Sequence, residues 1–365
     1  MPVINYESLD TTTDVTTTRT LLHEVIPITG AIISGGAGDG ALATYNNENI
    51  KNYTHGMFQS VYDYPYLSSS ANHIFDITVG YPADSAMSNS SPLTQQMQEK
   101  KINIYNQMAQ MLVGFDHTGA IRQFDRDGDL TGGNKIKEAF FLTFARLLTK
   151  DEIQKNTFRM SFATGGTAGD SRFLNAMTVG DFGADNSYKV NSPAGEYGIL
   201  YTSSATPNET SGVGLVYYQA GVCVLTASVF TSSAANDFGS SFGSSATSAD
   251  TRNINTVMSG TAISASADGF RTRLINVEFN NTTELNSTIY FCRAHHGDFN
   301  YSSNPTYLTG SKIRVKEVSR DQPVSYITTV GLYSADKELL AVAKLSEPLK
   351  KTPSNELTLR VRLDY

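Results

Sequence analysis

The most regular pattern of apolar and polar residues lies at the C-terminal end of the chain, over residues 357–365. Every second residue there is apolar, namely Leu357, Leu359, Val361, Leu363 and Tyr365. A period of two residues is typical of a β-strand with one buried face and one solvated face. We therefore predict a terminal strand. We expect residues 324–365 to close a terminal β-domain whose solvated face carries Arg360, Arg362 and Lys344. These cations are expected to be solvated, and docking to an acidic neighbour is their alternative role.

Two apolar runs directly before this strand predict a β-hairpin. They are YITTVGLY at 326–333 and LLAVAKL at 339–345, and a short polar connection joins them. β-branched and aromatic residues favour strands, and two such runs around a short turn favour antiparallel pairing. Nothing in residues 324–365 has the pattern of a catalytic site.

Similar short runs fill the rest of the C-terminal half. They lie at 158–162, 198–201, 213–218, 222–226, 272–280 and 288–293. Each run is bounded by polar or glycine-containing turns, which is typical of strands. Between them, residues 231–268 are nearly all Ser, Ala, Thr, Gly and Asn. This composition can bury little surface and predicts a long loop or a weak helix.

The N-terminal part combines a threonine-rich segment with tyrosine-rich stretches. Six threonines lie within residues 11–18, and an apolar, strand-like run follows at 21–33. We predict the threonine-rich segment either as an extended arm that lies on a neighbour or as a solvated leader into the first strand. Residues 45–91 predict short strands and loops with tyrosine edges, which suit protein contacts.

Two helices are predicted between these β-type regions. Ser91 and Pro92 form a good helix start, apolar residues then recur at spacings of three and four, and Gly114 can end the helix. A second helix is predicted from Lys135 to Leu148. It is apolar almost all round, so we expect it to be buried on more than one side.

Together these elements predict a mainly β protein with a small helical insertion (α+β). We expect antiparallel β-sandwich-like lobes and a helical pair near 92–150. The predicted segments are an N-terminal arm with a β/aromatic segment at 1–90, a helical segment at 91–156, a β-domain with the 231–268 loop at 157–270, and a C-terminal β-domain at 271–365. A chain of 365 residues can bury a sizeable core in two or three lobes.

The composition narrows the classes of function. A net charge of −7 offers no general basic field, so we expect no nucleic-acid partner. Two cysteines, Cys223 and Cys292, are too few for a disulfide framework, so a reducing compartment is expected. The chain has neither a long apolar stretch nor the pattern of a signal peptide, so we expect neither a membrane anchor nor secretion.

One segment has the spacing of a metal loop. Residues 127–138 match the calcium loop of helix–loop–helix proteins, with Asp127, Asp129, Thr131, Gly132 and Glu138 at the key positions. Alternate aspartates converge on one point, and a distal glutamate closes the oxygen shell. The strand-like segment at 121–126 and three unusual loop residues weaken the match, and a plain Asp/Gly turn explains the same residues. We therefore predict no metal ligand and no cofactor, and leave calcium at Asp127–Glu138 open.

The remaining candidate chemistry is sparse. The segment Cys292–Asp298 contains His295 and His296, but neighbouring residues of a strand point to opposite faces and cannot easily share one ion. Cys292 is most simply a small core residue. No nucleophile elbow, zinc-protease pair or dinucleotide fingerprint is present, so we predict no enzyme. A hydrolase would need a convergent acid pair, for which Asp125, Asp127 and Asp129 are the densest carboxylates.

Four blocks of the sequence resemble a family of virion structural proteins of T4-like, contractile-tailed phages (myoviruses) that infect marine cyanobacteria. They are YTHGMFQSVYDYPYL at 53–67, KINIYNQMAQ at 101–110, NSPAGEYGILY at 191–201, and the whole of 325–365. The hairpin at 330–343 is also similar to hairpins of tail-fibre and baseplate proteins. The resemblance spans most of the chain and varies most around residue 245.

The resemblance implies a non-enzymatic phage particle protein, assembled in the bacterial host cytoplasm and located in the virion. We expect it to be tail-associated, in the baseplate or neck, and to work by homo-oligomerisation and by docking to other phage structural proteins. The alternatives are a capsid-surface or vertex protein and, from another class, a receptor- or glycan-binding appendage. The threonine-rich N-terminus and one sheet edge are expected to contact neighbouring subunits.

Overall fold

A computed structural model describes the fold of most of the chain. The described residues are 6–28, 33–34, 44–45, 47–88, 95–164, 175–202, 211–230, 254, 258–259, 262–302, 304–316 and 318–365. Antiparallel strands dominate them, and a small helical part accompanies the strands. The predicted class, mainly β with a small helical insertion, is confirmed.

The chain forms two compact units. Unit 1 comprises Met1–Leu21 and Glu284–Tyr365, and unit 2 comprises Leu22–Thr283. The two ends of the chain therefore belong to the same unit. The residues predicted as a separate helical segment, 91–156, lie within unit 2.

The strands and helices have the following bounds. The strands are β1 Val15–Ile28, β2 Ile33–Ser34, β3 Thr44–Tyr45, β4 Ile50–Asn52, β5 Gln59–Tyr62, β6 His73–Gly80, β7 Phe124–Asp125, β8 Lys135–Ile136, β9 Ala139–Phe144, β10 Glu152–Ile153, β11 Arg159–Thr164, β12 Asn175–Gly180, β13 Tyr197–Leu200, β14 Gly214–Tyr217, β15 Val222–Thr226, β16 Leu274–Ala294, β17 Leu308–Thr309, β18 Lys312–Ile313, β19 Ser325–Tyr333, β20 Leu339–Lys351 and β21 Leu357–Asp364. The α-helices are α1 Gln95–Leu112, α2 Arg146–Thr149, α3 Ala184–Ser187 and α4 Ile263–Arg273.

Unit 2 is built around an antiparallel sheet in the order β13-β14-β15-β9-β6-β5-β4. Its central strand, β9, is buried on both faces. On one face, the ring of Phe140 lies 5.1 Å from the ring of Phe270 and 5.6 Å from that of Phe230. On the other face, the ring of Phe141 lies 5.6 Å from that of Phe124. Apolar layers on both sides of the sheet form the main core of this unit.

The second predicted helix is wrong for most of its length. Residues 139–144 form the central strand β9, and only the single turn of α2 at 146–149 is helical. A strand buried on both faces has no alternation of polar and apolar residues, so its continuous apolar run can be mistaken for a buried helix.

The first predicted helix is confirmed as α1. Its last turn closes where the N–H of Gly114 donates to the carbonyl oxygen of Ala109 at 2.9 Å, with Gly114 at φ +82°. The predicted start at Ser91 and Pro92 lies outside the described residues. The helix backbone packs closely on β6, since a Cβ at Gly80 would lie 2.7 Å from the carbonyl oxygen of Lys101. Glycine is therefore needed at this contact.

A second group of strands in unit 2 consists of β10, β11, β12 and the first part of β16. β11 pairs antiparallel with both β12 and β16. Phe162 on β11 packs against Phe270 of α4, with ring centroids 5.3 Å apart. Helix α4 begins inside the segment predicted as a loop or weak helix at 231–268, and most of that segment lies outside the described residues.

Unit 1 contains the predicted C-terminal strand and hairpin, and both are confirmed. β21 pairs antiparallel with β16 from Ser287↔Asp364 to Ala294↔Leu357, and its burial alternates as expected. β19 and β20 form the hairpin, in a sheet of their own.

The threonine-rich N-terminal segment also belongs to a strand of the same chain. The N–H of Phe291 on β16 donates to the carbonyl oxygen of Asp14 at 2.8 Å, and the hydroxyl of Thr18 donates to the carbonyl oxygen of Ser287 at 3.4 Å. β1 lies at the end of its sheet among the described strands, so one of its edges is an open sheet edge. Part of the threonine-rich segment is thus itself strand, and its contact with a neighbouring subunit stays a prediction.

Candidate functional site

The densest group of carboxylates lies on the short hairpin of β7 and β8. The two strands are joined across their ends by a hydrogen bond from the N–H of Arg126 to the carbonyl oxygen of Asn134, at 2.9 Å. Between them the chain turns sharply, with Gly128, Leu130 and Gly132 at positive φ angles of 72°, 62° and 73°. The hairpin, and not a helix pair, presents the acidic residues.

Buried tyrosines fix this hairpin from two sides. The hydroxyl of Tyr105 on α1 donates to the carbonyl oxygen of Ile136 at 2.6 Å and accepts from the N–H of Phe124 at 3.3 Å. The hydroxyl of Tyr197 lies 3.2 Å from the carbonyl oxygen of Gly128. Since the surrounding core holds both strands and the loop, the acidic residues sit on a well-supported scaffold.

The carboxylates of Asp125, Asp127 and Asp129 converge. One oxygen from each of the three lies within 4.8 Å of the others. Burial decreases along the loop, since Asp125 is buried, Asp127 half-buried and Asp129 exposed. The carboxylate of Asp129 also accepts from the N–H of Thr131 at 2.7 Å, which holds its orientation. The result is a cluster of oxygen ligands that is open to solvent on one side.

The electrostatics of the cluster are dominated by Asp125. The pKa of Asp125 is raised to about 6, mainly by burial and also by the neighbouring Asp127, and the ammonium of Lys135 opposes this rise. The Nζ of Lys135 lies 2.5 Å from the Oδ2 of Asp125. The contact with Asp125 in turn lowers the pKa of Asp127. Two carboxylates at this distance repel each other unless a proton or a cation lies between them.

The helix–loop–helix form of the calcium motif is wrong. Both flanks are strands, as the residue pattern at 121–126 suggested, so the loop does not join two helices. The expected closing ligand, Glu138, accepts a hydrogen bond from the hydroxyl of Ser85 at 2.6 Å. Sequence reasoning began the loop at Asp127 and thereby left out Asp125. The alternation of Asp125, Asp127 and Asp129 is the signal that locates the cluster.

The two neighbouring histidines do not behave as residues of a strand. β16 ends at Ala294, so His295 and His296 lie in the turn beyond it and both face Glu356. The distances are 2.7 Å from the Nδ1 of His295 and 3.7 Å from the Nε2 of His296. The expectation of opposite faces therefore fails at this point. All three side chains are about half exposed or more, so the group is a set of polar contacts at the surface.

Neither cysteine has the surroundings of a reactive thiol. Cys223 is fully buried on β15, and burial raises its pKa. Cys292 is half-buried opposite Leu359, and burial together with the charge of Asp14 raises its pKa as well. A raised pKa keeps the less nucleophilic thiol form, so both residues fit a packing role.

Sequence reasoning missed one buried ionic centre in unit 2, at Asp181. Its carboxylate accepts from Arg159 at 2.7 Å, from the hydroxyl of Tyr218 at 2.9 Å, and from the N–H groups of Asn156 and Phe158 at 2.7 and 3.0 Å. Burial raises its pKa to about 6 in spite of these donors. Because these donors tie the residue after β12 to the start of β11 and to the end of β14, we assign this centre a structural role.

Comparisons with known proteins give no information on the function of this site. The chain matches no model of a protein family, no curated protein and no solved structure. Within the described ranges, no helix has the length and apolar character needed to cross a membrane.

Proposed function

We propose that this chain is a non-enzymatic structural protein of a phage particle. It is tail-associated, in the baseplate or neck, and acts by binding to copies of itself and to other particle proteins. The sequence blocks that resemble virion proteins of cyanobacterial myoviruses support this proposal. A capsid-surface or vertex position is the alternative within the same class.

The observation that carries the proposal is the contrast in core between the two units. Every residue of the main hydrophobic cluster lies between Ile50 and Phe279, within unit 2. Among the described residues of unit 1, the buried apolar side chains are Ala294 and Val361. Burial of apolar surface is the main source of folding stability, so unit 1 has little of its own.

The lack of buried apolar side chains in unit 1 is most evident in the hairpin of β19 and β20. It pairs with no other described strand and exposes large apolar side chains, namely Tyr326, Tyr333, Leu339, Leu340 and Val342. An isolated two-stranded hairpin is marginally stable in water, and apolar exposed surface is typical of protein contacts. A neighbouring copy or another particle protein on this hairpin would supply the missing burial.

A receptor- or glycan-binding appendage is the second candidate. An aromatic group of Tyr53, His55 and Phe58 favours it, since the rings of Tyr53 and His55 are stacked with centroids 5.1 Å apart. Stacked aromatic rings beside polar groups are typical of small-ligand sites. Binding of the isolated chain to an array of glycans, without self-association, would favour this candidate over the particle scaffold.

Sedimentation velocity tests the self-association. We expect the full-length chain to form oligomers, and the double substitution Leu340→Asp with Val342→Asp to shift it towards the monomer. Leu340 and Val342 are 69% and 51% exposed, so their replacement should leave the fold intact. The matched control is Leu147→Asp, because Leu147 is 78% exposed on unit 2, lies outside the tyrosine-rich stretch and should not affect association.

Particle membership needs a separate measurement. Immunogold labelling and mass spectrometry of purified particles, from a phage that encodes the chain, should find it at the tail. A chain that is monomeric in every form and absent from the particles would overturn the proposal. Labelling on the capsid surface would favour the capsid or vertex alternative.

A further inference from the structure

We propose that Asp125, Asp127 and Asp129 form a binding site for one divalent cation, and that the ion is calcium. The site lies on the hairpin of β7 and β8 and does not use Glu138. It is independent of the particle assignment, because it rests only on the geometry of the hairpin.

The first observation is the convergence of three oxygen ligands. One carboxylate oxygen from each residue lies within 4.8 Å of the others. Calcium binds oxygens at about 2.4 Å, so two oxygens on opposite sides of the ion are about 4.8 Å apart. Magnesium requires shorter bonds and near-ideal octahedral geometry, which a loop with this span provides less well. The ligand set contains no histidine or cysteine, so it does not favour zinc.

The second observation is an unpartnered atom of a buried side chain. The side chain of Asp125 is 1% exposed, and its Oδ1 has no hydrogen-bond partner among the described residues. The other oxygen, Oδ2, bonds to Lys135. A buried carboxylate oxygen without a partner is costly, and such groups in folded proteins are usually satisfied by water or an ion. A cation held by the cluster would satisfy this atom.

The charges of the site also favour a divalent ion. Three ionised carboxylates carry −3, and the ammonium of Lys135 contributes +1, which leaves −2. One calcium ion would neutralise the net charge of −2 that the three carboxylates and Lys135 carry together.

Access and the remaining ligands are provided by the exposed side. Asp129 is exposed and Asp127 half-buried, so an ion can enter from solvent and retain several waters. Calcium takes six to eight oxygens, and waters commonly complete its shell in sites of few charged ligands. Such partly hydrated sites bind in the range of ~10⁻⁴ to 10⁻³ M.

Isothermal titration calorimetry of the full-length chain with calcium chloride tests this site. We expect one ion per chain with a Kd on the order of 1 mM or tighter, and weaker binding of magnesium. Asp127→Asn and Asp129→Asn should each weaken binding by roughly tenfold or more, since affinity follows the number of charged ligands. Asp125→Asn should do the same, with circular dichroism as the check that the buried substitution has folded.

The matched control is Asp116→Asn. Asp116 lies in another aspartate–glycine turn of the same unit, but its carboxylate accepts hydrogen bonds from Thr118 and Ala120 and has no acidic neighbour in the cluster. Calcium binding should be unchanged in this variant. Absence of binding at about 10 mM calcium would overturn the site. Equal affinity in the parent chain, Asp127→Asn and Asp129→Asn would overturn it as well.

Discussion

Strands β9 and β20 show how differently the two units of this chain are built. Five of the six residues of β9 are buried in the interior of unit 2, with phenylalanine rings above and below the sheet. Most residues of β20 are exposed, although seven of its thirteen residues are apolar. Unit 2 therefore buries its apolar side chains within itself, whereas the hairpin of unit 1 leaves its large apolar side chains exposed to solvent.

The charged residues do not follow this difference. Each unit buries a charge among hydrogen-bond partners, Asp181 in unit 2 and Lys351 in unit 1. The Nζ of Lys351 donates to oxygens of His296, Asn300 and Thr352. The contrast in apolar burial alone leads to the expectation that unit 2 is stable by itself and that unit 1 depends on neighbouring proteins.

The largest effect should come from the core of unit 2. Phe140→Ala would remove a fully buried ring that contacts Phe230 and Phe270, and we expect a loss of about 3–5 kcal/mol in the free energy of unfolding. Denaturant-induced unfolding, followed by circular dichroism, measures it. The matched change in the hairpin is Leu340→Ala, which should cost about 0.5 kcal/mol or less in the isolated chain. Equal losses in the two variants would contradict the contrast between the units.

Substitution of Lys101, a buried residue of α1, should have a smaller effect of opposite sign, namely a gain in stability. Burial lowers the pKa of this lysine from 10.5 to about 8, and its Nζ donates to the carbonyl oxygen of Met258 at 2.5 Å. The unfolded chain then binds the proton more tightly than the folded chain. Stability is therefore greatest above pH 10.5 and is lost as the pH falls towards 8.

Lys101→Met tests this assignment. The substitution removes the penalty of the buried charge but leaves the carbonyl of Met258 with one donor fewer, so we expect a net gain of about 1–2 kcal/mol at pH 7. The gain should shrink as the pH approaches 10.5, which unfolding curves at several pH values would show. A loss of stability at pH 7 would mean that the ammonium is required in the core. The control is Lys100→Met at the neighbouring, half-buried position, where the Nζ of Lys100 donates to the carbonyl oxygen of His55 at 2.9 Å.

The terminal strand β21 was predictable because its apolar and polar residues alternate. In β21 every second residue faces the interior of unit 1, so the pattern of residues and the burial agree. β9 was not predictable as a strand, because burial on both faces removes the alternation and leaves only an apolar run. The assembly of the two chain ends into one unit depends on contacts between distant residues, which local patterns do not encode.

The candidate site was predictable in composition but not in geometry. The spacing of Asp127 and Asp129 pointed to an oxygen cluster, and the strand-like flank pointed away from a helix–loop–helix site. The distal contact of Glu138 with Ser85 depends on the path of β9 and could not be read from the local sequence. The burial of Asp125, which gives the cluster its unpartnered oxygen, is also a product of tertiary packing.

The smallest effect on stability is expected from substitution of the exposed arginines of β21. The same substitution tests which surface of unit 1 binds a neighbouring protein. Arg362 contacts Asp364 and Ser287 at 2.7 and 2.8 Å, while its side chain remains 59% exposed. We expect the double variant Arg360→Glu with Arg362→Glu to lose no more than about 1 kcal/mol, since exposed ion pairs are weak.

Self-association should also persist in this variant, because we assign the contacts to the apolar hairpin and treat these cations as solvated. Sedimentation velocity beside the Leu340→Asp, Val342→Asp variant provides the comparison, and Lys344→Glu is the control on the hairpin itself. If the arginine variant stays folded but becomes monomeric, the docking surface includes β21 and binds an acidic neighbour. In that case unit 1 binds its neighbour through charged contacts as well as apolar ones.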